Sequence, residues 1–439
     1  MRIVYLAAGA AGMYCGTCLH DNTLAAALAA NGDDVLLVPT YTPIRTDEDD
    51  VSRRRVMFGG INVYLQQLSP WFRFLPAPIS AVLDSPALLG GLSKLNFSIN
   101  PAKLGALTVS VLRGEEGRQR KELAKLVDWL AREVKPDVVH LSNAMLAGMA
   151  RQIRGRLDVP VLCSLTGEDI FLEKLRPPYR EQARDVLRER ARDVARFVAL
   201  NRYYAGYMAE YMALDAERID VIPHGLNLAG HGTRTSAAGP RPLVIGYLAR
   251  ICHDKGLHQL VEAFTLLKLD QSLPSVKLRV AGYLGAADRK YLQGIVESIR
   301  AAGHENDFEY VGEVDRPGKI AFLQSLDVMC LPTVYRESKG LSVLEALANA
   351  VPVVLPAHGT FPELIEDTGG GVVFPPGDTS ALAESLKQLL LDAPRAAELG
   401  RRGQQSIQAR YTAQRMAELT RTLYHRVLSE SRASVAEKA

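Results

Sequence analysis

The sequence predicts an α/β fold of two Rossmann-like domains, each built on a parallel sheet, that face each other across a cleft. Three observations predict it. The 439 residues are enough for two domains of roughly 200 residues each. Short apolar segments alternate with longer amphipathic ones, which is typical of parallel α/β domains. This alternation stops between residues 227 and 242 and then begins again.

The first domain is predicted to span residues 1–226. Six short apolar segments in it are predicted strands, because each is bounded by turn residues or by a helical pattern. They are residues 3–7, 35–39, 137–141, 160–165, 197–200 and 218–222. The helical patterns between them cover residues 20–30, 118–133 and 179–193.

Residues 227–242 are rich in Gly, Thr, Ser, Ala and Pro and show no periodicity, so they predict an exposed linker. The second domain is predicted to span residues 241–410, and we expect residues 411–430 to form a helix that packs back on the first domain. The predicted strands of the second domain are residues 243–248, 276–281, 308–311, 328–331 and 353–355.

Residues 66–115 depart from the alternation and contain Trp71, Phe72 and Phe74 around Arg73, together with several prolines. Two interpretations stay open. The segment is a helical insertion that packs on the first sheet, or it is an acceptor-side surface that touches lipid or another apolar partner.

Composition restricts the classes of partner. Hydrophobic residues make up 47% and charged residues 23%, the balance of a globular protein with large cores. A formal net charge of +3 gives no bulk attraction for nucleic acid, although it suits an anionic small molecule or peripheral contact with the inner face of a membrane. Five cysteines, an odd number without an export signal, favour reduced thiols and a cytoplasmic protein.

The segment from Thr333 to Ala348 carries the strongest chemical signal. It follows a predicted strand, and it places Glu337 in the loop and Glu345 on the first turns of the next helix. Gly340, Leu341 and Ser342 mark the start of that helix, where unpaired backbone amides suit a diphosphate. A carboxylate beside such a site can accept hydrogen bonds from two neighbouring sugar hydroxyls.

Arg250 and Lys255 form a second signal. They follow the first strand of the second domain, and Lys255 stands at a helix start. Two cations at the mouth of a parallel sheet suit a diphosphate, Arg through bidentate contacts and Lys as a point charge.

On these residues, the second half resembles the donor-binding domain of the family 4 glycosyltransferases, which are retaining enzymes with the GT-B fold. The motifs run in order from residue 243 to residue 378, and they include a strand that ends in Gly282 and the Gly312–Val314 turn. The resemblance implies that Arg250 and Lys255 hold the donor diphosphate and Glu345 the ribose hydroxyls. It also implies that Glu337 binds hydroxyls of the transferred sugar, with Val314 near the nucleobase and Gly282 in the donor site.

The first half resembles the same family more loosely. The stretch from Gly9 to Gly12, with Gly16 beyond it, is similar to the glycine-rich loop where donor phosphate and acceptor meet. His140 matches a recurrent histidine, and the resemblance makes it a candidate catalytic residue near the acceptor. Thr166-Gly-Glu-Asp169 stands where many relatives have His-Gly, so Asp169 is a candidate acceptor contact. Glu337-Ser-Lys-Gly replaces the common Glu-Gly-Phe-Gly, and these departures leave the donor sugar and the acceptor open.

Cys15 and Cys18 form a Cys-x-x-Cys pair, with His20 just beyond it. Three interpretations stay open: a zinc site, for which only three ligands are apparent; a redox pair whose thiol is activated at a helix N-terminus; or a shaped loop from which His20 or Asp21 reaches substrate.

We therefore expect a hexosyltransferase-type, retaining glycosyltransferase that moves a sugar from a nucleoside-diphosphate sugar to an acceptor. Uridine is the expected base, because it is the commonest donor base in the family. The nucleotide-sugar is a co-substrate, and no metal or other cofactor is expected. A sugar-nucleotide epimerase, a glycoside phosphorylase, or a nucleotide-sugar-binding or redox-sensing protein without catalysis remain alternatives. The sequence assigns neither the acceptor nor the oligomeric state.

Overall fold

The computed structural model describes residues 1–9, 16–53, 101–232 and 241–436. The predictions for Gly12, for Cys15 and for most of the helical insertion therefore lie outside the described residues. The chain forms two compact units. The first comprises residues 1–223 together with 413–439, and the second comprises residues 224–412.

The first unit is built on a six-stranded parallel sheet in the order β2-β1-β3-β4-β5-β6. Its strands are β1 (Arg2–Ala7), β2 (Asp34–Pro39), β3 (Val138–Leu141), β4 (Val161–Leu165), β5 (Arg196–Ala199) and β6 (Ile219–Val221). The central strands β3 and β4 are buried along their whole length, as expected for a parallel sheet covered on both faces.

Helices cover both faces of this sheet. They are α1 (Gly16–Ala30), α2 (Pro101–Leu112), α3 (Arg120–Trp129), α4 (Ala150–Leu157), α5 (Glu168–Leu172), α6 (Tyr179–Arg190), α7 (Arg202–Met212) and, from the end of the chain, α15 (Ala413–Ala436). A single helix was predicted over residues 118–133. Instead, α3 ends at Trp129 and continues as a π-helical turn, Leu130–Val134.

Helix α15 packs against the first sheet beside α1. Its apolar side chains recur at helical spacing and lie in one core with the side chains of β1 and α1. Those of α15 are Met416, Ala417, Leu423, Tyr424 and Val427. None of the helices in the described part of the chain is both long enough and apolar enough to cross a membrane.

The second unit contains another six-stranded parallel sheet, in the order β12-β11-β10-β7-β8-β9. Its strands are β7 (Leu243–Leu248), β8 (Val276–Ala281), β9 (Phe308–Gly312), β10 (Val328–Cys330), β11 (Val353–Pro356) and β12 (Gly371–Phe374). Its helices are α8 (Leu257–Lys268), α9 (Arg289–Ala301), α10 (Arg316–Gln324), α11 (Leu341–Ala348), α12 (Phe361–Thr368), α13 (Thr379–Leu391) and α14 (Ala393–Arg410).

Strand β12 was not predicted from the sequence. It has four residues, begins at the last of three consecutive glycines and lies at the edge of the sheet, so its apolar pattern is short and only half buried. Its pairing with β11 from Val353 to Pro356 makes it a strand, and a single-sequence pattern does not contain that pairing.

Part of the predicted linker is anchored to the second unit. The Arg316 guanidinium donates to the carbonyls of Asn227 and Ala229 at 2.8 and 2.9 Å. The Gly232 amide donates to the side-chain oxygen of Asn349 at 3.2 Å. Residues 227–232 are thus fixed to the rest of the second unit.

His140, the candidate catalytic residue of the first half, is buried in the structure. His140 lies within β3 and is 1% exposed, with Nδ1 2.6 Å from the Tyr424 hydroxyl and Nε2 2.9 Å from the Ser164 hydroxyl. The Tyr5 ring lies 4.6 Å away, centroid to centroid. Since both ring nitrogens are engaged inside the core, the side chain links β3 to β4 and α15.

Burial, reinforced by the nearby His20, lowers the pKa of His140 from 6.5 to about 3. Because the unfolded chain binds the proton more tightly, this contribution to stability is complete above pH 6.5 and is lost as the pH falls toward 3. We predict that the free energy of unfolding decreases between pH 7.5 and 5.5 by about 1.3 kcal/mol more than in His140→Gln.

Urea unfolding at the two pH values measures this difference. His425→Gln is the matched control, because His425 is exposed on α15 next to Tyr424. An equal pH dependence in wild type and His140→Gln would contradict the prediction.

Candidate functional site

The second sheet contains a topological switch point between β7 and β10. From β7 the chain proceeds to β8 and β9 on one side, whereas β10 leads to β11 and β12 on the other. Loops at the carboxyl ends of two such strands diverge and leave a crevice, which is where parallel α/β sheets bind ligands. The loop after β7 carries Arg250 and Lys255, and the loop after β10 carries Glu337.

Lys255, Tyr335 and Glu337 form a hydrogen-bonded cluster at this switch point. The Lys255 ammonium lies 2.6 Å from Oε2 of Glu337 and 2.5 Å from the Tyr335 hydroxyl. The Tyr335 hydroxyl donates to the same carboxylate oxygen at 2.7 Å. The ammonium also lies 5.0 Å from the centre of the Tyr335 ring. The structure thus brings together two residues that the sequence analysis selected from separate motifs.

Glu337 remains ionised although its side chain is 7% exposed. Burial alone raises the pKa of Glu337, but the Lys255 charge and the hydrogen bonds from Lys255 and Tyr335 outweigh it and lower the pKa to about 2. The backbone amides of Ser338 and Lys339 donate to its other oxygen at 3.1 and 3.2 Å. The site therefore presents a fixed anion next to a fixed cation.

Two glycines with positive φ allow these loops to come close. Gly256 has φ +76°, and a Cβ there would lie 1.7 Å from the Pro332 carbonyl oxygen, between Lys255 and the end of β10. Gly359 has φ +64°, and a Cβ there would lie 2.6 Å from the backbone nitrogen and oxygen of Glu337. Side chains at either position would push the loops apart.

Arg250 is exposed beside the cluster and interacts electrostatically with Tyr335 and Asp288. Gly282 follows β8 with φ +144°, and a Cβ there would lie 1.8 Å from the Ala249 carbonyl oxygen. Val314 follows β9 and packs half-buried against the core of the unit. The predicted donor residues after β7, β8 and β9 thus stand at the same edge of one sheet.

Tyr335 is the residue of this cluster that the sequence analysis missed. Its position two residues before Glu337 was visible, but an aromatic residue in a loop after a strand carries no specific signal. Burial and the neighbouring Glu337 charge raise the pKa of Tyr335, so its hydroxyl stays protonated and donates.

Glu345 lies on α11, whose first turn begins at Leu341 and Ser342 after Gly340. Its carboxylate is buried and pairs with the ammonium of Lys319 from α10. The sequence offered no signal for this partner, because 26 residues separate the two positions.

In the first unit, the equivalent switch point lies between β1 and β3. The Ala8 amide, just after β1, donates to the Ser142 hydroxyl just after β3 at 3.2 Å. Gly16 begins α1, and most of the predicted glycine-rich loop before it lies outside the described residues.

The structure buries His20 and Asp21, the two residues that one interpretation of the Cys-x-x-Cys segment places at the substrate. His20 and Asp21 are 3% and 1% exposed, and Asp21 accepts a hydrogen bond from the Tyr5 hydroxyl at 3.0 Å. Cys18 is buried, at 2% exposure. These side chains point into the core because α1 packs its polar second turn against β1.

Asp169 lies at the start of α5, in the loop after β4. The Tyr204 hydroxyl lies 2.7 Å from Asp169 and 3.1 Å from Glu168, and it accepts the Gly167 amide hydrogen at 2.9 Å. Glu168, which the sequence analysis did not select, also accepts amide hydrogen bonds from Ala144 and Thr166, each at 2.9 Å. Glu168 thereby joins the loops after β3 and β4, and Asp169 lies half-buried at their edge.

Gly256 provides a test of the loop geometry, because Gly303 has the same φ of +76° and a Cβ at that position would have no other atom within 4 Å. We predict that Gly303→Ala costs about 1 kcal/mol of stability from backbone strain alone. Gly256→Ala is expected to cost about 2 kcal/mol more, since the Pro332 carbonyl has to move. Urea unfolding of both variants measures the difference, and equal losses would contradict the close approach.

Two family models match the chain in tandem. Residues 22–225 match the description "Glycosyl transferase 4-like domain", and residues 234–406 match "Glycosyl transferases group 1". Together they span most of both units.

Curated relatives agree with these matches. The chain is 24% identical over 409 residues to a glycogen synthase of Mycobacterium tuberculosis, covering 92% of this chain and 89% of the relative. It is 31% identical over 185 residues to the phosphatidyl-myo-inositol mannosyltransferase of Mycobacterium leprae, covering 40% of this chain and 46% of the relative. The second match thus spans about half of that relative's length.

Solved structures show the same fold. The sucrose-phosphate synthase of Thermosynechococcus elongatus superposes with a TM-score of 0.70 at 18% identity, over 98% of this chain and 100% of that one. Anabaena HepE, solved in complex with UDP-glucose, gives a TM-score of 0.64 at 15% identity, over 99% and 100%. The tandem family matches, on two units that each contain a parallel sheet, show that the chain belongs to the family 4 glycosyltransferases, nucleotide-sugar-dependent enzymes of the GT-B fold.

Proposed function

We propose that this enzyme transfers a sugar from a UDP-sugar to a hydroxyl acceptor with retention of anomeric configuration and without a metal ion. The observation that carries the proposal is the cluster of Lys255, Tyr335 and Glu337 at the switch point of the second sheet, with Arg250 beside it. The cluster combines fixed positive charge for a diphosphate with a fixed carboxylate for sugar hydroxyls.

Arg250 and Lys255 are the proposed diphosphate ligands. Arg250 is exposed and can present its guanidinium fork to phosphate oxygens, while Lys255 supplies a compact charge held in place by Tyr335. The amides at the start of α11, from Gly340 to Ser342, add further donors. Negative charge grows on the diphosphate as it leaves, so these groups stabilise the transition state more than the bound donor.

The two carboxylates are proposed to bind different sugars of the donor. Glu337 remains ionised next to Lys255, and it can accept hydrogen bonds from hydroxyls of the transferred sugar. Glu345, on the next helix, is proposed to bind the ribose hydroxyls. The turn between Gly312 and Val314, which follows the edge strand β9, is the proposed contact for the base.

In the proposed step, the bond between the anomeric carbon and the β-phosphate oxygen breaks, and its electron pair stays on that oxygen. The acceptor hydroxyl oxygen attacks the same face, and its proton passes to the leaving phosphate oxygen. Proton NMR of the product distinguishes this retention from inversion. Anabaena HepE, which was solved with UDP-glucose, supports the choice of uridine.

Asp169 is the proposed acceptor-side residue of the first unit. It lies in the loop after β4, where its carboxylate is fixed by Tyr204. Burial raises the pKa of Asp169 despite that hydrogen bond, so its environment differs from that of a solvated surface carboxylate.

We predict that Lys255→Met and Glu337→Gln each lower kcat/KM for the donor by about 100-fold or more, because each removes a charge that faces the reacting bond. Release of nucleoside diphosphate in the presence of acceptor measures the rate. Lys277→Met, an exposed position on β8, is the control and should be unchanged. Wild-type rates in both cluster variants would exclude this site as the catalytic one.

We also predict that exhaustive treatment with EDTA leaves the rate of sugar transfer unchanged within about twofold, because Arg250 and Lys255 neutralise the leaving diphosphate. The rate is measured before chelation, after it, and after addition of Mg²⁺ or Mn²⁺. Loss of activity that either ion restores would refute the metal-free mechanism.

A further inference from the structure

Helix α10 supplies a cation to the buried carboxylate of α11. Lys319 and Glu345 are each 7% exposed, and the Lys319 ammonium contacts Oε1 of Glu345. We propose that Lys319 is a positioning residue, which holds the Glu345 carboxylate oriented for the ribose diol of the donor. This inference rests on the proposed function, because it takes Glu345 as the ribose-binding residue.

The positive charge of Lys319 offsets part of the free-energy cost of burying the Glu345 carboxylate. Removing an anion from water is unfavourable by several kcal/mol unless a nearby cation and hydrogen bonds compensate. A compact ammonium satisfies part of that need at a single oxygen. A carboxylate can accept about four hydrogen bonds, so one contact with an ammonium does not exhaust its capacity for two neighbouring hydroxyls.

The backbone of Glu345 is fixed independently of its side chain. Asn349, which is fully buried, donates from Nδ2 to the Glu345 carbonyl oxygen at 2.8 Å. The helix fixes the Cα position, and Lys319 fixes the far end of the side chain. The carboxylate is thus preorganised, and a ligand hydroxyl that meets it has little ordering cost to overcome.

The position of Lys319 on α10 is itself anchored. The N-cap residue Asp315 accepts the Gly318 amide hydrogen at 2.9 Å, and Arg316 donates to the Asn227 carbonyl at 2.8 Å. The ammonium therefore projects from a helix held at its first turn. The two predicted carboxylates, Glu337 and Glu345, each have a lysine partner from a different element.

A ligand comparison tests the proposal. UDP, GDP and ADP are titrated calorimetrically into the wild type, and the tightest binder is compared with its 2′,3′-dideoxy analogue. In Lys319→Met we expect the Kd of the ribonucleotide to rise about tenfold or more, since a hydrogen bond to a charged group is weakened. The Kd of the dideoxy analogue, which lacks the diol, should change less than about twofold.

Two further variants sharpen the comparison. In a Glu345→Gln background, adding Lys319→Met should leave the ribonucleotide Kd nearly unchanged, because Lys319 acts through the carboxylate. Lys268→Met, on α8, removes a half-buried ion pair with Asp307 and should change neither Kd.

Equal losses for both ligands, or no loss for the ribonucleotide, would overturn the role of Lys319 while leaving the proposed function intact. Absence of binding by all three diphosphates to the wild type would instead refute the proposed donor site, and the inference with it.

Discussion

The close approach of two loops at the β7–β10 switch point is the constraint on which the candidate site depends. Gly256 lets the loop after β7 approach the end of β10, and this approach places the Lys255 ammonium 2.6 Å from the Glu337 carboxylate. Burying a carboxylate without a partner costs free energy. The ion pair with Lys255 and the hydrogen bond from Tyr335 offset this cost for Glu337, and they thereby stabilise the loop conformation. The same charges that stabilise these loops are the proposed contacts of the nucleotide-sugar.

The two predicted carboxylates of the second unit are each paired with a lysine. Glu337 lies in a loop and receives Lys255, whereas Glu345 lies on a helix and receives Lys319. In each case the lysine comes from an element distant in sequence. Each pairing fixes a hydrogen-bond acceptor, and fixed groups of this kind lower the ordering cost of binding a ligand. Preorganised polar groups of this kind are characteristic of sites that stabilise developing charge.

In the first unit, hydrogen-bonding side chains join structural elements to one another. His140, the candidate catalytic residue of the first half, lies in the core between the Ser164 and Tyr424 hydroxyls. Glu168 joins two loops through backbone amides. A histidine or glutamate near the end of a parallel strand therefore lies either at a binding site or in a structural hydrogen-bond network. The face of the sheet to which its side chain points decides which of the two it is.

The sequence by itself determined the alternation of strands and helices and both parallel sheets apart from β12, because local patterns encode them. Its ordered motifs also selected the candidate donor-side residues Arg250, Lys255, Glu337 and Glu345. Only the tertiary structure decided which side chains meet. Tyr335 and Lys319 were not selected from the sequence, and the burial of His140 was not predicted. Contacts between residues far apart in the chain, and the face on which a side chain lies, depend on strand order and helix packing. Hydrophobic periodicity specifies which face is buried, whereas the contacts made on that face arise only when the whole sheet assembles.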